Sequence, residues 1–257
     1  MKGIERIRQY LGEHKGNYVI IGGTACNLNL EEANLQGRAT KDVDMIVVCE
    51  AITPDYLRSF WNFIQAGGYS AWQVKSEEKS HRCFYRFIDP KDDDFPKYIE
   101  LFSRKPDSIQ LSEDAHLVHI PVSEYLSSFS AILMDDDYYG YAVSHAIELD
   151  GVQAIDYDAL IVLKIKAYLN NAARKESGQK VQSDDIDKHK RDVYRMVYLL
   201  TPQDHFVAPE SIRNDIRLFL LAIENNPINT KAISRNMGMP EITQQQFVEI
   251  IKNAYSL

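Results

Sequence analysis

Two aspartates stand one residue apart at the start of an apolar run, Asp42-Val43-Asp44-Met45-Ile46-Val47-Val48. Side chains alternate along a strand, so Asp42 and Asp44 share a face, with Cα atoms about 6.5 Å apart. Two carboxylates at that spacing can jointly hold divalent cations through oxygen. The same pair can also be a solvent-facing strand end, although Ile46–Val48 predict burial on both faces and the two like charges then need a counter-charge. Glu100, in Lys97-Tyr98-Ile99-Glu100-Leu101-Phe102, offers a third strand carboxylate, or a solvated one. Tyr18–Thr24 reads as a buried strand, then Gly22-Gly23, then a hydroxyl residue able to start a helix. Glycines let a backbone approach a ligand, and helix N-termini favour anions such as phosphate; a tight strand-to-helix turn uses the same residues. Lys164 falls in the stripe Leu160, Leu163, Lys164, Ala167, where helical spacing calls for an apolar side chain. A buried ammonium needs an anion: a phosphate, a site carboxylate or Asp192. Alternatively its stem packs while the charge snorkels to water.

These residues need elements to hold them. A helix is expected over 3–14 from Ile4, Ile7, Tyr10 and Leu11, a strand over 17–21, a helix over 24–30, a polar loop over 31–41 and a strand over 42–49. Pro54–Gln65 reads as a helix stopped by Gly67-Gly68. Strand-like runs follow at 70–75, 83–88 and 98–102, then a β-rich stretch over about 108–155 with turn signals at Asp135–Gly140 and Asp150-Gly151. From Asp156 the spacing turns helical, over 158–173, 185–200, 209–225 and 241–254, with prolines at 202, 209, 227 and 240 between segments. The expected architecture is α+β: a domain over 1–157 with a mixed sheet flanked by helices, including the 108–155 extension, then a helical domain over 158–257.

The composition is that of a soluble globular chain, 45% hydrophobic and 26% charged over 257 residues. No run approaches the ~18 apolar residues of a membrane span, and the N-terminus lacks a signal peptide's apolar stretch. Cys26, Cys49 and Cys83 are odd in number and lack metal-ligand spacing, so free thiols and a cytoplasmic location are expected. A net charge of −8 disfavours non-specific nucleic-acid binding. Residues 164–195 differ: nine Lys/Arg against five Asp/Glu give +4, leaving −12 for the rest. That segment suits an anionic ligand, or forms a solvated helix face. His116 and His119 read as surface histidines, and Asp92–Asp94 and Asp135–Asp137 as acidic turns. The 15 tyrosines are scattered rather than arrayed for base stacking.

Taken in order, the glycine turn, the acid-x-acid strand and the later acid resemble the DNA polymerase β-like nucleotidyltransferase superfamily. The closest likeness is to its abortive-infection toxins (AbiEii-type). Arg38-Ala39-Thr40-Lys41-Asp42-Val43-Asp44 is similar to their Arg-x-Thr-x-Asp-x-Asp segment, Leu160–Lys164 to their Leu-x-x-x-Lys motif, and Arg191-Asp192 to a helical Arg-Asp pair. Seventeen residues separate Thr24 from Asp42, a long spacing for the superfamily, and Arg195 stands where many relatives carry a second acid.

The resemblance implies transfer of a nucleoside monophosphate from an NTP with two Mg²⁺ ions. Asp42 and Asp44 would bridge the metals, and Glu100 would hold one and help deprotonate the acceptor. Gly22, Gly23 and Thr24 would cradle phosphates, and Lys164 would offset triphosphate charge. Asp192 would orient Lys164 or the nucleotide, and Arg38 and Lys41 would contact phosphate or acceptor. It further implies an RNA acceptor, tRNA included, or a protein, and a cognate antitoxin as partner. A small-molecule, antibiotic-type nucleotidyltransferase and a non-catalytic NTP-binding module are the alternatives. No residue pattern selects a base, an acceptor or an oligomeric state.

Overall fold

The computed structural model describes residues 3–38, 40–71, 85–105, 117–120 and 129–257. Cys83, His116 and Ala39 of the Arg-x-Thr segment lie outside the described residues, as do 72–75 and 83–84 of the expected strands. The chain is α+β, with a mixed sheet flanked by helices and a helical C-terminal region. It divides into two compact units, 1–25 with 39–155, and 26–38 with 156–257.

The first unit opens with α1 (Ile4–Leu11), whose Ile4, Ile7 and Leu11 are buried as the helical spacing requires. β1 (Tyr18–Ile21) then leads directly into α2 (Gly22–Glu32), whose first turn belongs to this unit. β2 (Asp42–Val47) carries the two aspartates. α3 (Pro54–Gly67) starts where Thr53 caps the Tyr56 amide at 3.2 Å with proline next in line, and stops at Gly68, φ 63°. Five further strands and a helix follow: β3 (Ser70–Ala71), β4 (Arg86–Ile88), β5 (Tyr98–Ser103), β6 (Leu117–Ile120), β7 (Phe129–Leu133) and α4 (Asp136–Ser144). The hairpin β8 (Ala146–Leu149) and β9 (Val152–Ile155) closes the unit. Asp150 and Gly151 both have positive φ, 48° and 74°, the conformation a two-residue hairpin turn needs.

The sheet runs β3-β4-β5-β2-β1-β9-β8, with β7 pairing β5 and β6. β2 lies between β1, antiparallel to it, and β5, parallel to it. One sheet face is closed by helices. The Tyr56 hydroxyl meets the Met45 sulfur at 3.9 Å, the Phe60 and Phe87 rings cross at 5.7 Å, and Tyr18 stacks on Tyr56. Val43, Met45, Ile99, Leu101 and Phe87 are buried, and strand alternation puts them together. Each large apolar side chain closed off this way contributes about 1.5–3 kcal/mol, so this face anchors the sheet. Asp42, Asp44, Tyr98, Glu100 and Arg86 occupy the intervening positions on the other face.

The second unit contains α5 (Tyr157–Glu176), α6 (Ser183–Met196), α7 (Glu210–Asn225), α8 (Thr230–Met237) and α9 (Gln244–Ala254). Asp156 caps α5 by accepting from the Ala159 amide at 3.0 Å. Tyr168, Phe219, Phe247 and Tyr194 pack edge to face and tilted through its centre.

Two expectations are corrected. Asp135–Gly140 is not a turn: the Asp135 carboxylate accepts from the Asp137 amide at 3.0 Å and caps α4. The turn signal failed because Asp is as good a helix cap as a turn residue. The helix α8, between Pro227 and Pro240, went unread because it is short; Asn229 caps it and Gly238 ends it.

Candidate active site

The alternation along β2 gives Asp44 its position. Asp44 pairs in register with Ile21 of β1 on one side and with Glu100 of β5 on the other. Asp42 pairs with Tyr98. Register partners on neighbouring strands point to the same side, so Asp42, Asp44, Tyr98 and Glu100 share one face. Asp42 is exposed, and Asp44 and Glu100 are half-buried. β4 extends this face, since Arg86 pairs in register with Glu100. Arg86 Nε donates to Glu100 Oε1 at 2.7 Å and its terminal NH₂ donates to the same oxygen.

The glycine turn meets the acid strand at Asp44. Gly22 has φ 71°, a conformation costly for any residue with a side chain. A Cβ there would overlap the Asp44 carboxylate, lying 2.9 Å from its Cγ. Glycine is thus required twice, for the backbone turn and for the approach of the carboxylate. Gly23 is buried in the first turn of α2. Thr24, 2% exposed, donates its hydroxyl to the Asp42 carbonyl at 2.6 Å. Its proton is therefore spent on tying α2 to the acid strand, and any contact with phosphate would fall to its main chain. Lys41 is exposed, and its carbonyl accepts from the Lys97 amide at 2.8 Å.

Magnesium takes oxygen ligands, and these three carboxylates supply only oxygen. Asp42 and Asp44, on one face of one strand, fit such an ion. Glu100 shares the face, yet its Oε1 accepts from Arg86. Among the described residues no three His, Cys, Asp or Glu side chains stand close enough to hold one ion. Of the three carboxylates on this face, Glu100 is paired with Arg86.

Lys164, Asp192 and Arg38 belong to the second unit. Of the partners the sequence allows for Lys164, the structure supplies Asp192: Nζ donates to Oδ2 at 2.9 Å. Lys164 is 5% exposed and Asp192 fully buried. Arg38 Nε and an Arg195 terminal nitrogen donate to Asp192 Oδ1 at 3.1 and 3.0 Å. Burial alone would raise the Asp192 pKa, but Lys164 and Arg38 outweigh it and hold the group at about 2. Three cations thus converge on the one buried carboxylate of Asp192. The same cluster marks its neighbours. Burial, then Asp192, push the Cys26 thiol up to about 12. Burial, then Lys164, push His189 down to about 3.

No family model and no curated protein sequence matches this chain. Solved structures similar to this chain include two of low score. The Megavirus polyadenylate synthase shares 12% identity at TM-score 0.38, over 86% of this chain and 36% of that one. The JHP933 protein from Helicobacter pylori shares 12% identity at TM-score 0.35, over 98% of this chain and 90% of that one. The chain thus spans about a third of the polyadenylate synthase. Likeness at these scores carries no functional argument, and chemistry has to be read from the residues.

Sequence reasoning missed Arg86 and Tyr98 as members of the acid face. Neither has a local signal: each joins only through the pairing of β4, β5 and β2. Arg195 was visible, three residues after Asp192 on one helix, where i,i+3 side chains meet. Among the described residues no helix is long and apolar enough to cross a membrane.

Proposed function

We propose that this protein is a nucleotidyltransferase that moves a nucleoside monophosphate from an NTP to a hydroxyl of an RNA or protein acceptor. The observation that supports this reading is the position of Asp44. It lies in register between the residue preceding the glycine turn and Glu100, with Gly22 packed against its carboxylate. Nucleotidyl transfer depends on positioning and charge neutralisation more than on covalent chemistry by the protein. Asp42 and Asp44 would hold Mg²⁺, which when bound supplies positive charge to the phosphoryl group and its leaving oxygen. Main-chain N–H groups at the glycine turn and the start of α2 would bind phosphate oxygens. Glu100, released by Arg86, would accept the acceptor's hydroxyl proton. The Arg38, Lys164 and Arg195 cluster would take an anionic group, with Asp192 orienting Lys164.

The test is transfer of label from each of four α-³²P-NTPs to total RNA, cellular protein or an aminoglycoside, in Mg²⁺ and in EDTA. Wild-type protein is expected to label RNA or protein only in Mg²⁺, and Asp44→Ala to label neither while keeping its unfolding temperature. Transfer by Asp44→Ala at the wild-type rate would refute the proposal. Label on the aminoglycoside alone would reassign the acceptor to a small molecule. We also propose a toxin role. It predicts growth arrest on expression, absent with Asp42→Ala and relieved by a co-expressed antitoxin.

A further inference from the structure

We infer that Tyr98 is a stacking platform for a nucleobase of the acceptor, which makes the acceptor a single-stranded RNA end; this rests on the transfer reading above. Tyr98 is 47% exposed, one of five large apolar or aromatic side chains left open among the described residues. The other four, Ile147, Val207, Leu218 and Leu221, are aliphatic. Among the described residues the Tyr98 side chain makes no hydrogen bond or ring contact, whereas those of Tyr10, Tyr18, Tyr56, Tyr69 and Tyr139 in the same unit all pack or bond. Among the described residues this half-exposed aromatic ring, on the strand beside two carboxylates, packs against no other ring.

Its place on the sheet selects the ligand. The strand order puts β2 between β1 and β5. The glycine turn leaves the end of β1, on one side of Asp42 and Asp44. Tyr98 lies on β5, on the other side, in register with Asp42. If phosphates take the glycine turn, the side of the acids bearing Tyr98 belongs to the attacking group. A base stacked there would bring its ribose hydroxyls to the carboxylates. Lys41, exposed next to Asp42, can meet the strand's phosphates, whereas Lys97 is ion-paired with Asp93 and Arg86 with Glu100. Every base has a π-face, so this contact tolerates sequence.

The test is fluorescence anisotropy of a fluorescein-labelled short single-stranded RNA of mixed sequence in Mg²⁺ at fixed ionic strength, with a fluorescent ATP analogue measured in parallel. Neither measurement requires turnover. Tyr98→Ala is expected to weaken RNA binding roughly 5- to 150-fold, the range for loss of one stacked base. Tyr98→Phe should stay within about twofold of wild type, since the ring is what stacks, and ATP-analogue binding should be unchanged in both. Thermal unfolding is expected to be unaltered because the ring is not in the core. RNA affinity unmoved by Tyr98→Ala, no RNA binding by the wild type, or weakening confined to the ATP analogue would each overturn the inference. The last would assign the ring to the NTP's own base. Failure of the transfer reading registers separately, as label transfer by Asp44→Ala, and leaves the affinity comparison intact.

Discussion

Replacing Gly22 by alanine tests the geometry at its tightest point. The new Cβ meets two problems. The φ of 71° costs a residue with a side chain about 1–2 kcal/mol. The Cβ also lies 2.9 Å from Asp44 Cγ and overlaps a carboxylate oxygen. That contact is with the end of a short side chain, so rotation of Asp44 about χ1 relieves most of it. The fold should therefore survive, with a loss of about 1–3 kcal/mol once residual crowding at Asp44 Cβ is included. The carboxylate is not where it was. A displacement of about 1 Å at a reacting centre costs roughly 10²-fold in rate, or about 2.7 kcal/mol of barrier. Gly22→Ala should thus lower label transfer from α-³²P-NTP about 10²-fold while its circular dichroism stays native. Because both changes act through one carboxylate, Gly22→Ala combined with Asp44→Ala should transfer no more slowly than Asp44→Ala alone. A folded Gly22→Ala protein working within twofold of the wild-type rate would show that the Asp44 position does not matter, and the proposed chemistry would go with it.

Further outcomes follow from the same contacts. Thr24→Val should cost about 0.5–1.5 kcal/mol in denaturant unfolding, because it removes the hydrogen bond that ties α2 to the Asp42 carbonyl, whereas Thr24→Ser should restore most of that. Asp192→Ala leaves Lys164 buried beside two arginines without a counter-charge, and should lose about 3–5 kcal/mol. For His189 the folded pKa of about 3 lies below its ordinary 6.5, so the unfolded chain binds the proton more readily. Stability present above pH 6.5 is therefore lost as pH falls from about 6.5 toward about 3, and His189→Gln should flatten that part of a urea-unfolding series. Asp192, with its pKa lowered to about 2, adds a separate loss of roughly 2 kcal/mol between about pH 4 and pH 2.

The fold was legible where one signal dominated. α3 announced itself at both ends, by Pro54 and by Gly67-Gly68, and the Asp150-Gly151 hairpin by its turn dipeptide. The helix α5 was legible from its stripe, but its odd residue, Lys164, left a buried paired charge and a snorkelling one equally open, and the Asp192 contact decides between them. What could not be read was pairing. Arg86 sits in a three-residue strand with no motif, and its bond to Glu100 follows only from β4 adding antiparallel to β5. Likewise the family resemblance implied phosphate contact for Thr24. Eighteen residues along, the carbonyl of Asp42 turns out to be its partner, a contact created by the β1–β2 pairing. Residue types at a site can be read from spacing, but which donor meets which acceptor is decided by register.

Register also explains why the acid face stays polar at the centre of a sheet. On β2 and β5 the inward positions Val43, Met45, Ile99 and Leu101 are closed by helices, which fixes both strands and leaves their alternate positions no choice of direction. Three carboxylates set out this way repel one another, and Arg86 pairs with one of them, Glu100. Removing that guanidinium therefore gives opposite expectations for two readings of Glu100. If Glu100 is a surface residue paired for stability, Arg86→Met lowers the unfolding temperature slightly and Mg²⁺ does nothing to it, since exposed pairs contribute at most about 1 kcal/mol. If Glu100 belongs with Asp42 and Asp44, Arg86→Met removes the cation paired with this set, and added Mg²⁺ raises the unfolding temperature more in the variant than in the wild type. A Mg²⁺ response equal in the two proteins would separate Glu100 from the aspartates, and the cation would then rest on Asp42 and Asp44 alone.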